Sequence, residues 1–460
     1  MSTMLDTVHQ GMLRSGFALT YGWRRYGRLS AFLDKSQWWA PERLERFRHE
    51  ALTNILRHAG TTVPFYRQRF AEAGIDPLTV TAATLPRLPL LTKHDIQQCH
   101  DQLIAEGAAK SDSMINSTGG STGQPLSFLQ DREYWAWANA DKFRAYAMSG
   151  YRVGMRWAFL WGSDVDANSH RGWHGKIKDR LVYNMLWINT FDLRRETIAK
   201  EAQRLAQFHP KMIVAYVSAA TLLAKVVQER NIRGIRPQSI HVSAEVLTDD
   251  DRSLLEEVFL CKIFNHYGSR EVCTIGQECD HHKGLHVFPE HNFVEIVDDE
   301  GHPVKPGCSG RIIVTNLHNH IMPFIRYEIG DRGTWATSQC DCGRSAPLLA
   351  SVEGRTTDII IGPSGKMLHG EFFTHLFYGR KGVDQFRVTQ IRRDELDVKI
   401  VAGPACNREE LMRFLQETIR LHGDPAFRVT ITFLEKLAPS PSGKHRFVSS
   451  EIPPSPRITP

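Results

Sequence analysis

The stretch that decides the fold runs from residue 211 to 271, KMIVAYVSAATLLAKVVQERNIRGIRPQSIHVSAEVLTDDDRSLLEEVFLCKIFNHYGSRE. Short apolar runs bounded by polar residues predict strands at Met212–Tyr216, Ile240–Ala244 and Lys262–His266. The two intervening segments have helical periodicity: Ala219–Gln228 and Asp249–Phe259. This βαβαβ alternation predicts a parallel sheet covered by helices, and therefore an α/β fold.

Two polar segments follow these strands. Ser243–Glu245 comes after the second strand and Tyr267–Glu271 after the third. Ligands of open α/β sheets bind at the carboxyl ends of the strands. A ligand site is therefore expected where these two segments meet.

Outside this stretch, Ala40–His58 has helical periodicity. Beyond residue 355, Phe386–Gln390 and Leu396–Val401 resemble paired strands, and Val429–Phe433 a last one. Asn407–Leu421 reads as a helix, with Asn407 as its cap and Glu410 three residues on. We predict a large α/β domain over 1–354, a hinge at 355–358, a small mobile α+β domain over 359–452, and a flexible tail at 453–460.

Composition sets limits on function. Of 460 residues, 42% are hydrophobic, and the formal net charge is +6 with scattered Lys and Arg, which disfavours a nucleic-acid binder. No apolar stretch reaches the roughly 18 residues of a membrane span. Met1–Ser15 lacks the pattern of a secretory signal, so a cytoplasmic location is expected. The aromatic and basic Phe17–Arg48 fits either a membrane-surface helix or, as we favour, a helix packed on the main domain.

Asn116–Pro125 combines glycines with hydroxyl residues, so its backbone N–H groups are able to face an anion. It is not a Walker loop, because Gln124–Pro125 follow its last glycine where Lys and Ser or Thr are needed. The alternative is an ordinary surface turn.

Two further blocks end in a carboxylate. Glu271, in Tyr267–Glu271, is placed to hold Mg²⁺ at phosphate oxygens, and the Tyr267 ring to stack on a base; the alternative is a polar βα loop. Asp331, in Arg326–Asp331, is expected in a loop downstream of the strand Ile312–Thr315. It would accept both ribose hydroxyls, or it is a plain turn aspartate.

Two blocks remain, Gly354–Asp358 and the C-terminal Pro439–Arg446 with its Lys444. Together the five blocks supply a phosphate loop, a metal carboxylate, a ribose carboxylate, a hinge and a distant cation. This combination suits ATP-driven activation of a carboxylate.

The series resembles the adenylate-forming superfamily of acyl-CoA synthetases and adenylation domains, over nearly the whole chain. It is most similar to the phenylacetate–CoA ligase-like branch, which includes capsule-cluster proteins and coenzyme F390 synthetases. The blocks that carry this closer likeness are Leu56–Ala59, Val63–Arg67, Ala73–Ile75, Leu88–Lys93 and Met322–Tyr327.

The resemblance implies a role for each block. The ATP phosphates would bind to Ser117, Thr118, Gly119, Gly120, Ser121, Thr122 and Gly123. The adenine and the acyl pocket would be bordered by Ser243, Ala244, Glu245, Tyr267 and Gly268. Ser269 would lie near the α-phosphate, Glu271 on Mg²⁺, and Asp331 on the ribose with help from Arg355. Lys444 would bridge the carboxylate and the α-phosphate during adenylation.

Three positions depart from the pattern of this family. Leu126 replaces a lysine after the loop, Arg270 replaces a threonine before the metal glutamate, and Thr357 replaces the hinge Asp or Lys. None of them removes the chemistry.

The eight cysteines of a cytoplasmic protein favour thiols or metal over disulfides. Cys261, Cys273 and Cys308 are expected to be buried small residues. Four further residues form a candidate Cys₃His zinc site, Cys279, His286, Cys340 and Cys342, and branch members share these blocks. The role of the zinc would be structural; His281 and His282 are competing ligands, and free surface thiols are the alternative.

The resemblance implies a two-step ligase. ATP and a small carboxylic acid give an acyl-adenylate, and a thiol then displaces AMP; the thiol belongs to coenzyme A or to the phosphopantetheine of a carrier protein. One alternative is AMP transfer to a hydroxyl, as in F390 synthetases, and another is a non-catalytic nucleotide-binding protein. The identity of the acid and the oligomeric state stay open. Aromatic residues that would line an acyl pocket, or simply pack in the core, are Tyr134, Trp135, Trp137, Phe159 and Trp161.

Overall fold

A computed structural model describes most of the chain. The described residues are 23–109, 113–117, 126–161, 172–190, 195–355, 360–364, 367–368, 373, 376–377, 382–437 and 447–452. The candidate phosphate loop Thr118–Gly123, the hinge residues 356–358 and Lys444 lie outside them.

Most of the described helices cover a large sheet, and the last of them packs on a smaller C-terminal sheet. They are α1 (Trp23–Ser36), α2 (Pro41–Thr62), α3 (Pro64–Glu72), α4 (Lys93–Gln98), α5 (Arg132–Ala147), α6 (Gly172–Leu181), α7 (Arg195–Phe208), α8 (Val217–Glu229), α9 (Asp249–Phe259) and α10 (Arg408–Thr418). The described residues also contain short 3₁₀ turns at Ala82–Arg87 and His100–Leu103 and a π turn at Ile419–Gly423.

The strands of the first 355 residues are β1 (Ser113–Ser117), β2 (Ser127–Asp131), β3 (Trp157–Trp161), β4 (Met185–Asn189), β5 (Met212–Tyr216), β6 (Ser239–Ser243), β7 (Lys262–Ser269), β8 (Cys273–Glu278), β9 (Leu285–Val287), β10 (Asn292–Val297), β11 (Ser309–Asn316), β12 (Tyr327–Trp335) and β13 (Leu348–Arg355). Those that follow are β14 (Ile360–Ile361), β15 (Met367–Leu368), β16 (Val383–Arg392), β17 (Glu395–Ala402), β18 (Arg428–Leu434) and β19 (Val448–Ser450).

Eleven strands form the large sheet in the order β10-β11-β12-β13-β9-β8-β7-β6-β5-β3-β4. The strands from β7 to β4 are parallel, and the other half is antiparallel. The predicted strand Met212–Tyr216 and helix Asp249–Phe259 have the expected bounds. The predicted α/β fold, with a parallel βαβαβ unit at its centre, is confirmed.

Helix α2 is longer than predicted and continues to Thr62. It ends where it does because Val63 precedes Pro64 and is extended, with φ −107° and ψ 115°. Helix α1 packs on α5, and the Phe32 ring contacts those of Trp39 and Trp137 at 5.3 and 5.9 Å. This agrees with the packed helix that we favoured for the N-terminal segment. Among the described residues, no helix is both long and apolar enough to cross a bilayer.

Two expectations and one alternative interpretation were wrong. Tyr267–Glu271 is not a βα loop, because β7 turns directly into the antiparallel β8. Asp331 lies inside strand β12, not in a loop, with its backbone opposite Arg355 of β13. Cys308 is exposed rather than buried, since it follows Gly307 in a surface turn, and Cys261 and Cys273 are only half-buried.

The C-terminal strands form a separate sheet in the order β18-β17-β16-β19, with its own apolar core. Helix α10 begins after Asn407, whose Oδ1 accepts a hydrogen bond from the Glu410 N–H at 3.2 Å, as predicted. The sequence did not indicate β19, which pairs parallel with β16. A hydrogen bond of 3.0 Å joins Lys225 Nζ on α8 to the Val383 carbonyl at the start of β16.

Candidate active site

The blocks Tyr267–Glu271 and Arg326–Asp331 meet at the carboxyl end of β7. A tyrosine of each block donates a hydrogen bond to the carboxylate of the other block. The Tyr267 hydroxyl donates to Asp331 Oδ2 at 2.8 Å. The Tyr327 hydroxyl donates to Glu271 Oε1 at 3.0 Å. Hydrogen bonds to an ionised acceptor are the stronger kind, so both carboxylates are held in place without any ligand.

Local backbone geometry explains this meeting. A Cβ added to Gly268 would lie 2.4 Å from the Cys273 carbonyl oxygen, so only glycine allows β7 and β8 to come this close. Gly330 has φ +93°, a conformation that favours glycine, one residue before Asp331. Both glycines of the two blocks therefore have a conformational role.

Glu271 is also held through its backbone. Its carbonyl accepts hydrogen bonds from Gln130 Nε2 at 3.2 Å and from the Tyr134 hydroxyl at 3.4 Å. Gln130 Oε1 in turn accepts from Asn116 Nδ2 at 3.0 Å. Asn116 and Gln130 lie on the paired strands β1 and β2, which lead into and out of residues 118–125. The backbone carbonyl of Glu271 is thus linked through the Gln130 side chain to Asn116, which precedes Ser117 at the described start of the candidate phosphate loop.

The segment Ser243–Glu245 ends β6 beside this site. Ser243 Oγ lies 3.0 Å from His266 Nδ1, and Ala244 has φ +72°. The Glu245 carboxylate accepts from the backbone N–H and the hydroxyl of Ser218, at 2.6 and 2.9 Å. It therefore caps the first turn of α8, where a negative charge is stabilised by the helix dipole.

The remaining predicted site residues are placed as follows. Ser269 Oγ accepts a long hydrogen bond of 3.4 Å from the Val272 N–H. Arg355 ends β13 beside Asp331, and its side chain lies outside the described residues, as do Thr118–Gly123 and Lys444. Sequence reasoning missed Gln130 and Tyr327 as supports of Glu271. Tyr327 stood in a quoted block, but nothing in the sequence pointed its hydroxyl at a carboxylate 56 residues away.

Four of the five aromatic candidates for an acyl pocket separate into two groups, and the fifth, Trp135, is half-buried with its ring 5.8 Å from that of Tyr134. Tyr134 and Trp137 are buried in the core at 1% and 7% exposure, and Trp137 stacks on His318 at 3.8 Å. Phe159 and Trp161 stack on each other at 4.9 Å on β3, at the edge of the sheet that carries the site.

The four residues of the candidate zinc site lie together. One ligand atom from each of the residues Cys279, His286, Cys340 and Cys342 lies within 4.8 Å of the others. Cys279 follows β8, His286 is in β9, and the other two lie in the turn between β12 and β13. Cys279 Sγ is 3.6 Å from Cys340 Sγ, and Cys342 Sγ is 3.4 Å from His286 Nε2. Three thiols and an imidazole at this spacing fit a closed tetrahedral zinc site.

The competing histidine His282 has other partners. Its Nδ1 lies 3.2 Å from Glu278 Oε2 and 3.2 Å from Arg252, which is itself paired with Glu278 at 2.8 Å. His281 is exposed at the surface, whereas His286 is buried at 1% exposure. The structure therefore selects His286.

The four candidate ligands lie in a largely dry environment. Burial raises the pKa of Cys279 to about 12 and lowers that of His286 to about 4. Burial also opposes ionisation of Cys342, but hydrogen bonds from Arg344 hold the pKa of that thiol below its usual range. A bound divalent cation would deprotonate such thiols outright.

No family model matches the chain. It is 27% identical over 333 residues to a phenylacetate–coenzyme A ligase of Thermus thermophilus, covering 70% of this chain and 72% of that protein. It is 22% identical over 398 residues to the protein CapK of Staphylococcus aureus, covering 84% and 85%. A solved structure of 2-hydroxyisobutyryl-CoA ligase in the postadenylation state superposes with TM-score 0.72 at 19% identity, covering 91% and 93%. The chain is thus similar in sequence to phenylacetate–coenzyme A ligases and to CapK, and it shares the fold of 2-hydroxyisobutyryl-CoA ligase.

Proposed function

We propose that the protein activates a carboxylic acid with ATP and then transfers the acyl group to a thiol, with coenzyme A as the first choice of acceptor. One observation carries this proposal. The carboxylates of Glu271 and Asp331 lie at the carboxyl edge of the sheet, and each accepts a hydrogen bond from a tyrosine of the other block. Relatives named as CoA ligases support the class of reaction.

In the first half-reaction, a carboxylate oxygen of the acid attacks the α-phosphorus of ATP and pyrophosphate leaves. Asp331 would accept hydrogen bonds from the ribose, and the Tyr267 ring would lie against the adenine. Glu271 would hold Mg²⁺, which neutralises phosphate charge when bound. Lys444 would stabilise the charge that develops between carboxylate and phosphate, because a fixed cation acts most strongly in the transition state.

In the second half-reaction, the thiol sulfur attacks the acyl carbon and AMP leaves. The sheet β16–β19 would turn about residues 355–358 between the two steps and take Lys444 away from the site. Domain bounds of 1–354 and 359–452 go with this proposal, and the separate core of the C-terminal sheet supports them.

We also propose that Cys279, His286, Cys340 and Cys342 hold one structural Zn²⁺. The argument is the closeness of four ligand atoms together with the chemistry of the donor set. In addition, the buried Nδ1 of His286 has no hydrogen-bond partner among the described residues.

The test is a pyrophosphate-release screen over carboxylic acids with Mg²⁺ and ATP, with and without coenzyme A. Acid-dependent release, with formation of a thioester when coenzyme A is present, is expected. Release that depends on a hydroxyl compound and on no acid would instead identify the AMP-transfer alternative. ATP binding with no release for any acceptor would identify a non-catalytic protein.

A further inference from the structure

A hydrogen bond joins α8, which packs on the large sheet, to the separate C-terminal sheet. Lys225 Nζ on α8 donates to the Val383 carbonyl at the start of β16, at 3.0 Å. The chain neighbours of Lys225, Ala224 and Val226, are buried in the core of the parallel strands. Val383 is buried in the core of the C-terminal sheet. The bond therefore links two units that each have their own apolar core.

The donor end of this link is fixed by α8. The Glu245 carboxylate, which ends the segment beside the candidate site, caps the first turn of the helix through Ser218. Ser218 and Lys225 are seven residues apart, so they lie on one face of the helix, separated by about 10 Å along its axis. The ammonium of Lys225 is thus carried by a helix whose first turn contacts the site segment.

The acceptor end is fixed by the tight start of β16. Gly382 has φ +86°, and a Cβ added to it would lie 2.3 Å from the backbone nitrogen of Cys406. The Gly382 carbonyl accepts a hydrogen bond of 2.7 Å from the Gly403 N–H. Val383 then pairs with Ala402 of β17. The Val383 carbonyl therefore has a set position in its sheet, and the adjustable part of the link is the lysine side chain.

This bond responds to any movement between the two units. Hydrogen bonds from an ionised donor are stronger than neutral ones, although water screens this one in part because Lys225 is half-buried. In the proposed reaction the C-terminal sheet turns about residues 355–358, whereas α8 stays with the large sheet. A bond of 3.0 Å is broken when one of its ends moves away by a few ångströms. It therefore exists in one position of the C-terminal sheet and is lost in the other.

We propose that Lys225 is a positioning residue for the two half-reactions, because its bond to Val383 stabilises one of the two positions of the C-terminal sheet. The inference rests on the proposed function and adds a residue that sets the balance between the two steps. A contact made in one position alone shifts the equilibrium between the positions by its own free energy. Lys225 supplies no group to the chemistry, so its loss should change the ratio of the two rates.

The first experiment measures this ratio. Single-turnover rates of adenylation, and of thiol attack on a preformed acyl-adenylate, are compared in wild type, Lys225→Met and Lys225→Arg. Methionine removes the ammonium and keeps an apolar stem, whereas arginine is able to donate to the same carbonyl. Lys211→Met is the control, because Lys211 is an exposed lysine just before the amino end of β5.

Lys225→Met should change the ratio of the two rates by about threefold to tenfold, as expected for the loss of a partly exposed bond from a charged group. Lys225→Arg should lie closer to wild type, and Lys211→Met should keep the wild-type ratio. An equal fall of both rates in Lys225→Met, or the same change of ratio in Lys211→Met, would overturn the inference.

The second experiment needs neither a variant nor turnover. Lysine amines are acetylated at trace level with acetic anhydride, and the reactivities of Lys225 and Lys211 are read by mass spectrometry. The protein is labelled alone, with ATP and Mg²⁺, and with AMP and coenzyme A. The reactivity of Lys225 should differ about threefold or more between two of these conditions, because the bond that protects the amine is present in one position only. The reactivity of Lys211 should stay constant.

A Lys225 reactivity that is the same in all three conditions, in protein that binds the nucleotides in a calorimetric titration, would also overturn the inference. A lack of pyrophosphate release for every acid would contradict the proposed function instead. The labelling then still decides the role of Lys225, since ligand binding needs no turnover.

Discussion

The hydroxyl of Tyr327 lies 3.0 Å from Oε1 of Glu271, and both side chains are buried, at 0% and 6% exposure. The tyrosine of one sequence block thus positions the carboxylate of another. Since Glu271 would otherwise have to be oriented by the metal that we propose it binds, this contact would prepare the proposed magnesium site in advance.

Tyr327→Phe should raise the Mg²⁺ concentration needed for half-maximal pyrophosphate release several-fold, with a smaller effect on the KM for ATP. It should also destabilise the fold by about 1–3 kcal/mol, the cost of a lost buried hydrogen bond. The control is Tyr66→Phe, which removes a buried hydroxyl that donates to the Pro323 carbonyl at 2.9 Å. The same Mg²⁺ shift in both variants would mean that the effect comes from stability alone.

Asp331→Ala and Glu271→Ala should impair the use of ATP in different ways. Asp331 would contact the sugar, so its loss should raise the Kd for ATP whether or not Mg²⁺ is present. Glu271→Ala should instead raise the requirement for Mg²⁺. Nucleotide titrations with and without the metal separate the two; matching Mg²⁺ responses would contradict the assignment.

Lys444→Ala should slow adenylation by about 10²-fold or more, which corresponds to about 2.7 kcal/mol of transition-state stabilisation. Thiol attack on a preformed acyl-adenylate should be largely spared. Single-turnover measurements of each half-reaction test this, with Lys436→Ala, which changes an exposed lysine just after β18, as the control. Equal losses in both steps would count against the role of Lys444.

Protein purified without added metal should contain about one zinc per chain. A double variant, Cys340→Ser with Cys342→Ser, should lose the zinc. The first consequence should be a lower Tm, and a loss of activity should be secondary. The control is Cys308→Ser, which changes an exposed thiol. Zinc-free wild-type protein with an unchanged Tm would end the idea.

As the pH falls, the folded protein should lose stability before its carboxylates become protonated. Burial lowers the pKa of His241 to about 3 and that of His266 to about 4, so both rings are neutral when folded. Unfolded, they would bind protons below about pH 6.5, so stability is full above that pH and falls towards pH 4. The expected slope is about 1.4 kcal/mol per pH unit for each ring, measured from urea midpoints at several pH values. His241→Gln should remove one such contribution; an unchanged slope would contradict this.

Patterns that depend on neighbours in the chain were predictable. Strand Met212–Tyr216 and helix Asp249–Phe259 were predictable because hydrophobic periodicity is a local signal. Asp331 was misplaced because a Gly-Asp pair commonly marks a turn, whereas here β13 pairs with it and makes it part of a strand. The candidate zinc ligands could be grouped from the sequence, but only the fold distinguishes His286 from His282. The supports of Glu271 were beyond reach, since Gln130 and Tyr327 are distant in sequence and their partners depend on side-chain direction.

The short strand β19 limits how far the proposed catalytic cation can travel. Four peptide links separate Lys444 from Val448, and an extended chain covers at most about 3.6 Å per residue, so their Cα atoms are never more than about 14 Å apart. Val448 is fixed to β16 by pairing with Val388. Lys444 is thus joined by a short length of chain to a residue that is fixed in the sheet. The reach of the Lys444 ammonium from Val448 is the length of this chain segment plus that of the lysine side chain. If the nucleotide is farther from Val448 than this reach, Lys444 contacts it only when the whole sheet moves.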